Sequence, residues 1–167
     1  MVEVELTAVR VDLQSNTPVV LLQEIDGSKR TLPIFIGTAE ATAIAFAIQG
    51  VVTERPMTHD LIRDLMDSLG ARLEKVTVTE LKRRNENEGT YYAELEVWLD
   101  QTPHVISSRP SDAIALAART QSPIFVADEL LDEKGVFLQD EEEEENPDEL
   151  VGKFRQFIEE ISPEDFT

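Results

Sequence analysis

The chain reads as an α+β domain: two internally duplicated β-β-β-α units giving about six mainly antiparallel strands with flanking helices, plus a C-terminal amphipathic helix. Three observations predict this. Apolar residues alternate with polar ones at period two near the start and again after Leu73. Both stretches contain the same slip of phase, at positions 72 residues apart. Each unit then runs into an alanine-rich helix with an acid in its first turn.

Val2, Val4 and Leu6 alternate with Glu3 and Glu5, and after Ala8 the apolar phase moves to Val9, Val11 and Leu13. A β-bulge is the cheapest way to keep both halves of such a strand on the core. Ser15-Asn16-Thr17-Pro18 make a turn, and Val19 to Ile25 is a nearly continuous apolar run, expected as a central strand. Asp26-Gly27 signals a hairpin, and Arg30 to Ile36 returns as the third strand.

Gly37 is the expected N-cap of the next helix, with Glu40 at N3 and the small residues of 39–48 permitting close packing. Gly50 ends it. Thr58 is the expected N-cap of a second helix, stapled by Met57 to Ile62. Its apolar stripe is Leu61, Ile62, Leu65, Met66 and Leu69, and Gly70 is its stop.

Shifting by 72 places Val4, Leu6 and Val9 on Val76, Val78 and Leu81, and Val19 to Ile25 on Tyr91 to Val97. Pro33 to Ile36 falls on Val105 to Ser108, and Glu40 to Ala45 on Asp112 to Ala117. Arg109-Pro110-Ser111-Asp112 opens the second alanine-rich helix, with Pro110 at N1 and Asp112 at N3. A short strand at Pro123 to Val126 and a short helix at Asp128 to Asp132 complete the body. The expected organisation is therefore a domain over 1–138, with pseudo-repeats 1–72 and 73–138. An acidic linker over 139–147 and a helix over 148–162 follow, the helix striped by Leu150, Phe154, Phe157, Ile158 and Ile161.

Composition narrows the function. There is no cysteine, so disulfides and thiolate metal sites are excluded. The first residues form a strand pattern, not a signal peptide or membrane anchor, so a cytoplasmic protein with no membrane association is expected. Net charge is −19; residues 139–167 hold 12 acids against 2 bases, which leaves 22 against 13 for residues 1–138. Such a field repels nucleic acid except where a basic patch or bound cations offset it.

The segments LPIFIGTAEATAIAFAI, RPMTHDL and RPSDAIALAART resemble the signature segments of the bifunctional nuclease domain family, in the same order, over about residues 2–135. The resemblance implies DNase and RNase activity, which is attributed to some plant members. Phosphodiester hydrolysis needs neutralised phosphate charge and an activated water. Carboxylates holding Mg²⁺ or Mn²⁺ with a histidine as base are one solution. The residue types at the helix openings suit that chemistry: His59, Asp60, Glu40 and Asp112 as catalytic groups, with Glu40, Asp60 and Asp112 as metal ligands. Arg55, Arg109 and Ser111 would bind substrate.

The plainer reading is that Glu40, Asp60 and Asp112 are helix-capping acids, each worth about 1 kcal/mol, with arginines paired to them. Two classes stay open: a metal-dependent nuclease, and a non-catalytic regulatory domain binding a ligand or protein. Close-packing helices such as 39–48 and open sheet edges further predict self-association as a dimer.

Overall fold

The computed structural model describes residues 1–85 and 88–138. The expected acidic linker and C-terminal helix lie outside the described residues. The chain order is β1 (Val2–Asp12), β2 (Thr17–Glu24), β3 (Thr31–Phe35), α1 (Thr38–Gln49), α2 (Thr58–Leu69), β4 (Arg72–Asn85), β5 (Glu88–Leu99), β6 (Thr102–Ser108), α3 (Pro110–Thr120), β7 (Ile124–Val126) and α4 (Asp128–Lys134). The strands form one mixed sheet in the order β3-β2-β1-β7-β4-β5-β6. This is the α+β architecture expected, with one strand more than the two meanders alone supply.

The extra strand is β7, and it sits at the centre. It runs antiparallel to β1 through Val2–Val126 to Val4–Ile124 and parallel to β4 through Val76–Ile124 to Val78–Val126. The two meanders therefore flank it on either side, in opposite orientations. Val19 to Ile25 reads as a central strand, and β2 is interior, flanked by β3 and β1, with α1 packed against it.

Both bulges are present. The β1–β2 register shifts between Leu6 and Ala8, and the β4–β5 register between Val78 and Glu80, at the 72-residue offset. The next strand departs from that offset by one. Val9 pairs with Val20, but Leu81 pairs with Tyr91 rather than Tyr92. A further irregularity between Arg83 and Asn85, near the hairpin tip, accompanies the difference.

The core is built from Val4, Leu22, Leu32, Ile44, Val76, Val78, Ile114, Val126 and Leu131, all at most 3% exposed. α1 and α2 both pack against α3, which lies on β4 and β5. The small residues of α1 are spent inside the molecule: Ala41, Ala43 and Ile44 are buried, as are Ala113 and Ala117 of the facing α3. Small side chains let two helix backbones approach closely, so the Glu40 end of α1 lies near the Asp112 end of α3.

α2 behaves differently from its sequence pattern. Its stripe exists, yet Leu61, Leu65 and Leu69 are exposed, and the residue it buries is His59. Its N-cap is Met57, not Thr58, because the Asp60 carboxylate accepts the Met57 N–H at 3.0 Å. Gly50 and Gly70 close α1 and α2 in the left-handed conformation that glycine adopts without strain. No helix among the described residues is long and apolar enough to cross a membrane.

Candidate functional site

α1, α2 and α3 each present an acid at N3 (Glu40, Asp60 and Asp112), where free backbone N–H groups and the helix dipole favour negative charge. Packing α1 and α2 on α3 brings two of these acids and a histidine into one chain of contacts. His59 Nε2 lies 3.0 Å from Asp112 Oδ1. Arg109 donates from Nε to Asp112 Oδ2 at 2.7 Å and from Nη2 to Oδ1 at 3.0 Å. Its Nη1 lies 2.8 Å from Glu40 Oε1. Glu40, Arg109, Asp112 and His59 thus form a continuous line across the openings of α1, α3 and α2.

Local sequence makes this line possible. Pro110 at N1 fixes the start of α3, so that Arg109 and Asp112 fall three apart and face one another. Gly37 leaves room for the Glu40 carboxylate to fold back over the start of α1, where a Cβ would collide with Glu40 Oε2.

Burial pushes the Asp112 carboxyl up, but the hydrogen bonds from Arg109 and His59 outweigh it and hold the group below its ordinary range. Asp112 is accordingly ionised at neutral pH and only accepts. His59 must therefore donate through Nε2–H, so that any lone pair the ring offers is at Nδ1. The Arg109 guanidinium is held above its usual value by the same Asp112 contact.

Asp60, expected to join this group, belongs to a second one. Its Oδ1 accepts from Arg119 Nε at 2.6 Å, and Arg119 Nη1 also donates to the carbonyls of Ala43 at 3.0 Å and Ala115 at 2.9 Å. Burial raises the Asp60 carboxyl, and the Arg119 and Met57 hydrogen bonds bring it below its ordinary value. Arg119 was not singled out in the sequence. Its one signal is a charged residue seven after Asp112 on an alanine-rich helix, hence on the same face.

The other expected residues separate. Ser111 is buried in the first turn of α3 and makes no side-chain hydrogen bond to the cluster. Arg55 is exposed and joins neither network among the described residues. The expected metal ligands do not fit a divalent ion as they stand: Glu40 and Asp112 both hold Arg109, and Asp60 holds Arg119. Among the described residues no three His, Asp or Glu side chains come together as a metal-holding group.

The fold and the cluster define a class: an α+β domain whose histidine, carboxylates and exposed arginine meet where helices begin. Comparison with known proteins gives the family. The family model described as "Bifunctional nuclease domain" matches residues 20–139, and the chain belongs to that family.

An uncharacterized protein of Mycobacterium tuberculosis is 42% identical over 170 residues, covering 99% of this chain and 98% of that one. Bifunctional nuclease 2 of Oryza sativa subsp. japonica is 32% identical over 112 residues, and Bifunctional nuclease 1 of Arabidopsis thaliana 30% over 114. Each plant match covers 65% of this chain but 33% of the plant protein, so the likeness spans about a third of those relatives.

Proposed function

We propose that the chain hydrolyses phosphodiester bonds of DNA or RNA, with His59 taking the proton, Asp112 orienting His59 and Arg109 binding the phosphate. The observation that carries this is the convergence of Glu40, His59, Arg109 and Asp112 from three separate helices. With Nε2–H given to Asp112, the His59 nitrogen that takes a proton from the attacking water is Nδ1. The ionised Asp112 at Nε2 orients the ring and stabilises the cation that forms. Arg109 is the exposed member, and a guanidinium matches two phosphate oxygens with a planar fork. Glu40 steadies that arginine from the other side. No step is routed through a metal ion, since the carboxylates already hold arginines.

The test is cleavage of end-labelled single-stranded RNA and DNA by the full chain, with and without EDTA, against His59→Ala and Asp112→Asn. Loss of a proton-transfer group lowers the rate about 10²- to 10⁴-fold. Cleavage unchanged in both variants would overturn the assignment of these residues.

The second reading, a non-catalytic regulatory domain binding a ligand or protein, is favoured by one observation: every carboxylate of the cluster is already ion-paired. Oligonucleotide binding that depends on Arg109, without cleavage under any condition, would decide for it.

The dimer expected from the sequence belongs to the same proposal on a changed basis. α1 is covered by α3, whereas Leu61, Leu65 and Leu69 of α2 form an exposed apolar stripe that a second copy would cover. Sedimentation at tens of micromolar, roughly the range in which a weak interface fills, would show monomer alone if that is wrong.

A further inference from the structure

Glu40 and Asp112 arise from different helices, and their side chains are only 18% and 28% exposed. Two carboxylates held this close would repel one another strongly were nothing between them. What lies between them is the Arg109 guanidinium, with one nitrogen on Glu40 and two on Asp112. A divalent ion would need the same oxygens at about 2.0–2.1 Å in the case of Mg²⁺. Guanidinium and metal cannot hold them together.

We propose that Arg109 is the resident counter-cation of the Glu40–Asp112 pair, so that Mg²⁺ and Mn²⁺ are excluded from these carboxylates while the guanidinium is in place and gain them when it is removed. The inference concerns the site assigned above but does not require that site to be catalytic.

The third expected ligand cannot rescue a metal site. Asp60 is held by Arg119, whose side chain is 5% exposed and is also tied to two backbone carbonyls. Moving that arginine would leave the part-buried Asp60 carboxylate without its cation and take the extra donor from two helix carbonyls. Arg109 has no such anchorage: its side chain is 64% exposed, and truncating it opens a gap to water and not a hole in the core. Removing Arg109 therefore leaves two carboxylates of α1 and α3 without a cation, in a place water and ions can enter. Positive charge in reach of two carboxylates is then favoured from any source.

The measurement is Mn²⁺ binding to the full chain, read by the electron paramagnetic resonance signal of free Mn²⁺ and by calorimetry, with Mn²⁺ itself as the probe. The wild-type chain should show only weak sites of about 10⁻³ M, as acidic surfaces do. Arg109→Ala should gain one site per chain at least tenfold tighter, and Arg109→Ala/Asp112→Asn should lose it again. Circular dichroism of each variant checks that the fold persists.

Should Arg109→Ala fail to fold, Arg109→Gln serves in its place: it removes the charge but keeps a long polar side chain, so the Mn²⁺ site should again appear. A tight Mn²⁺ site in the wild type that Asp112→Asn abolishes would overturn the proposal. So would a folded Arg109 variant with no gain. Failure to cleave nucleic acid while the new Mn²⁺ site appears would sink the nuclease reading and leave this one standing.

Discussion

Arg109 and Arg119 leave opposite ends of α3, and each reaches a carboxylate at N3 of a different helix. Arg109 meets Glu40 of α1 together with Asp112 of its own helix; Arg119 meets Asp60 of α2. The chemistry is the same, but the surroundings are not. The Arg119 side chain is nearly sealed from water, and its remaining donors satisfy the carbonyls of Ala43 and Ala115, so it rivets α1, α2 and α3 together. Arg109 lies mostly in water, where an ion pair adds little stability and can exchange one anion for another. The difference teaches that exposure, and not residue type, separates the bridge that locks the helices from the one open to water.

Two truncations put the largest expected effect on that comparison. Arg119→Ala leaves the part-buried Asp60 carboxylate without its cation and should cost about 3 kcal/mol, the low end for losing one partner of a buried pair. In thermal terms that is a fall of roughly 10 °C for a domain of this size. Arg109→Ala should cost about 0–1 kcal/mol, while any cleavage falls about 10²-fold or more, the usual scale for losing a charge-stabilising donor. Urea unfolding and a nuclease assay on both variants check this. Comparable stability losses, or an activity loss confined to Arg119→Ala, would break the distinction.

The sequence made the local half of this legible. The repeated phase slip located both bulges, and Pro110 with Asp112 located the start of α3, because bulges and caps are set by neighbouring residues. Glu40, His59, Arg109 and Asp112 were also readable, since acids and histidine at helix openings stand out from apolar surroundings. What was not readable depends on partners far along the chain. The short strand at Pro123 to Val126 is readable, but three residues carry no periodicity to show that they join β1 to β4 at the sheet centre.

Arg119 pairs with a residue 59 positions away, and nothing in its own turn announces that. The α2 stripe is apolar, as its spacing predicts. Periodicity names the face of a helix, however, and not what covers it, and here the covered residue is His59. That Asp60 lies in a different ion-pair network from Glu40 and Asp112 was hidden for the same reason: each acid was visible, but its arginine was not.

The smallest effect sharpens the comparison through pH. Asp112 and Asp60 are both held below the ordinary carboxylate value, against a burial that alone would raise them. A depressed folded-state pKa contributes stability that is present above the unfolded value, about 3.9 for aspartate, and is lost as pH falls through the folded value. Asp112→Asn keeps a carbonyl to accept the His59 Nε2–H while removing the charge. The stability gap between wild type and this variant should thus be about 1 kcal/mol at pH 6–8 and should shrink as pH drops below 4.

Asp60→Asn should show the same sign with a larger gap, because Arg119 is the less screened partner. Comparing each variant with wild type at the same pH cancels the titration of carboxylates outside the two bridges. A gap at Asp112 that grows as pH falls would mean its carboxyl is protonated in the folded state. His59 would then face an acid instead of a carboxylate, and the proton-transfer role assigned to His59 would fall with it.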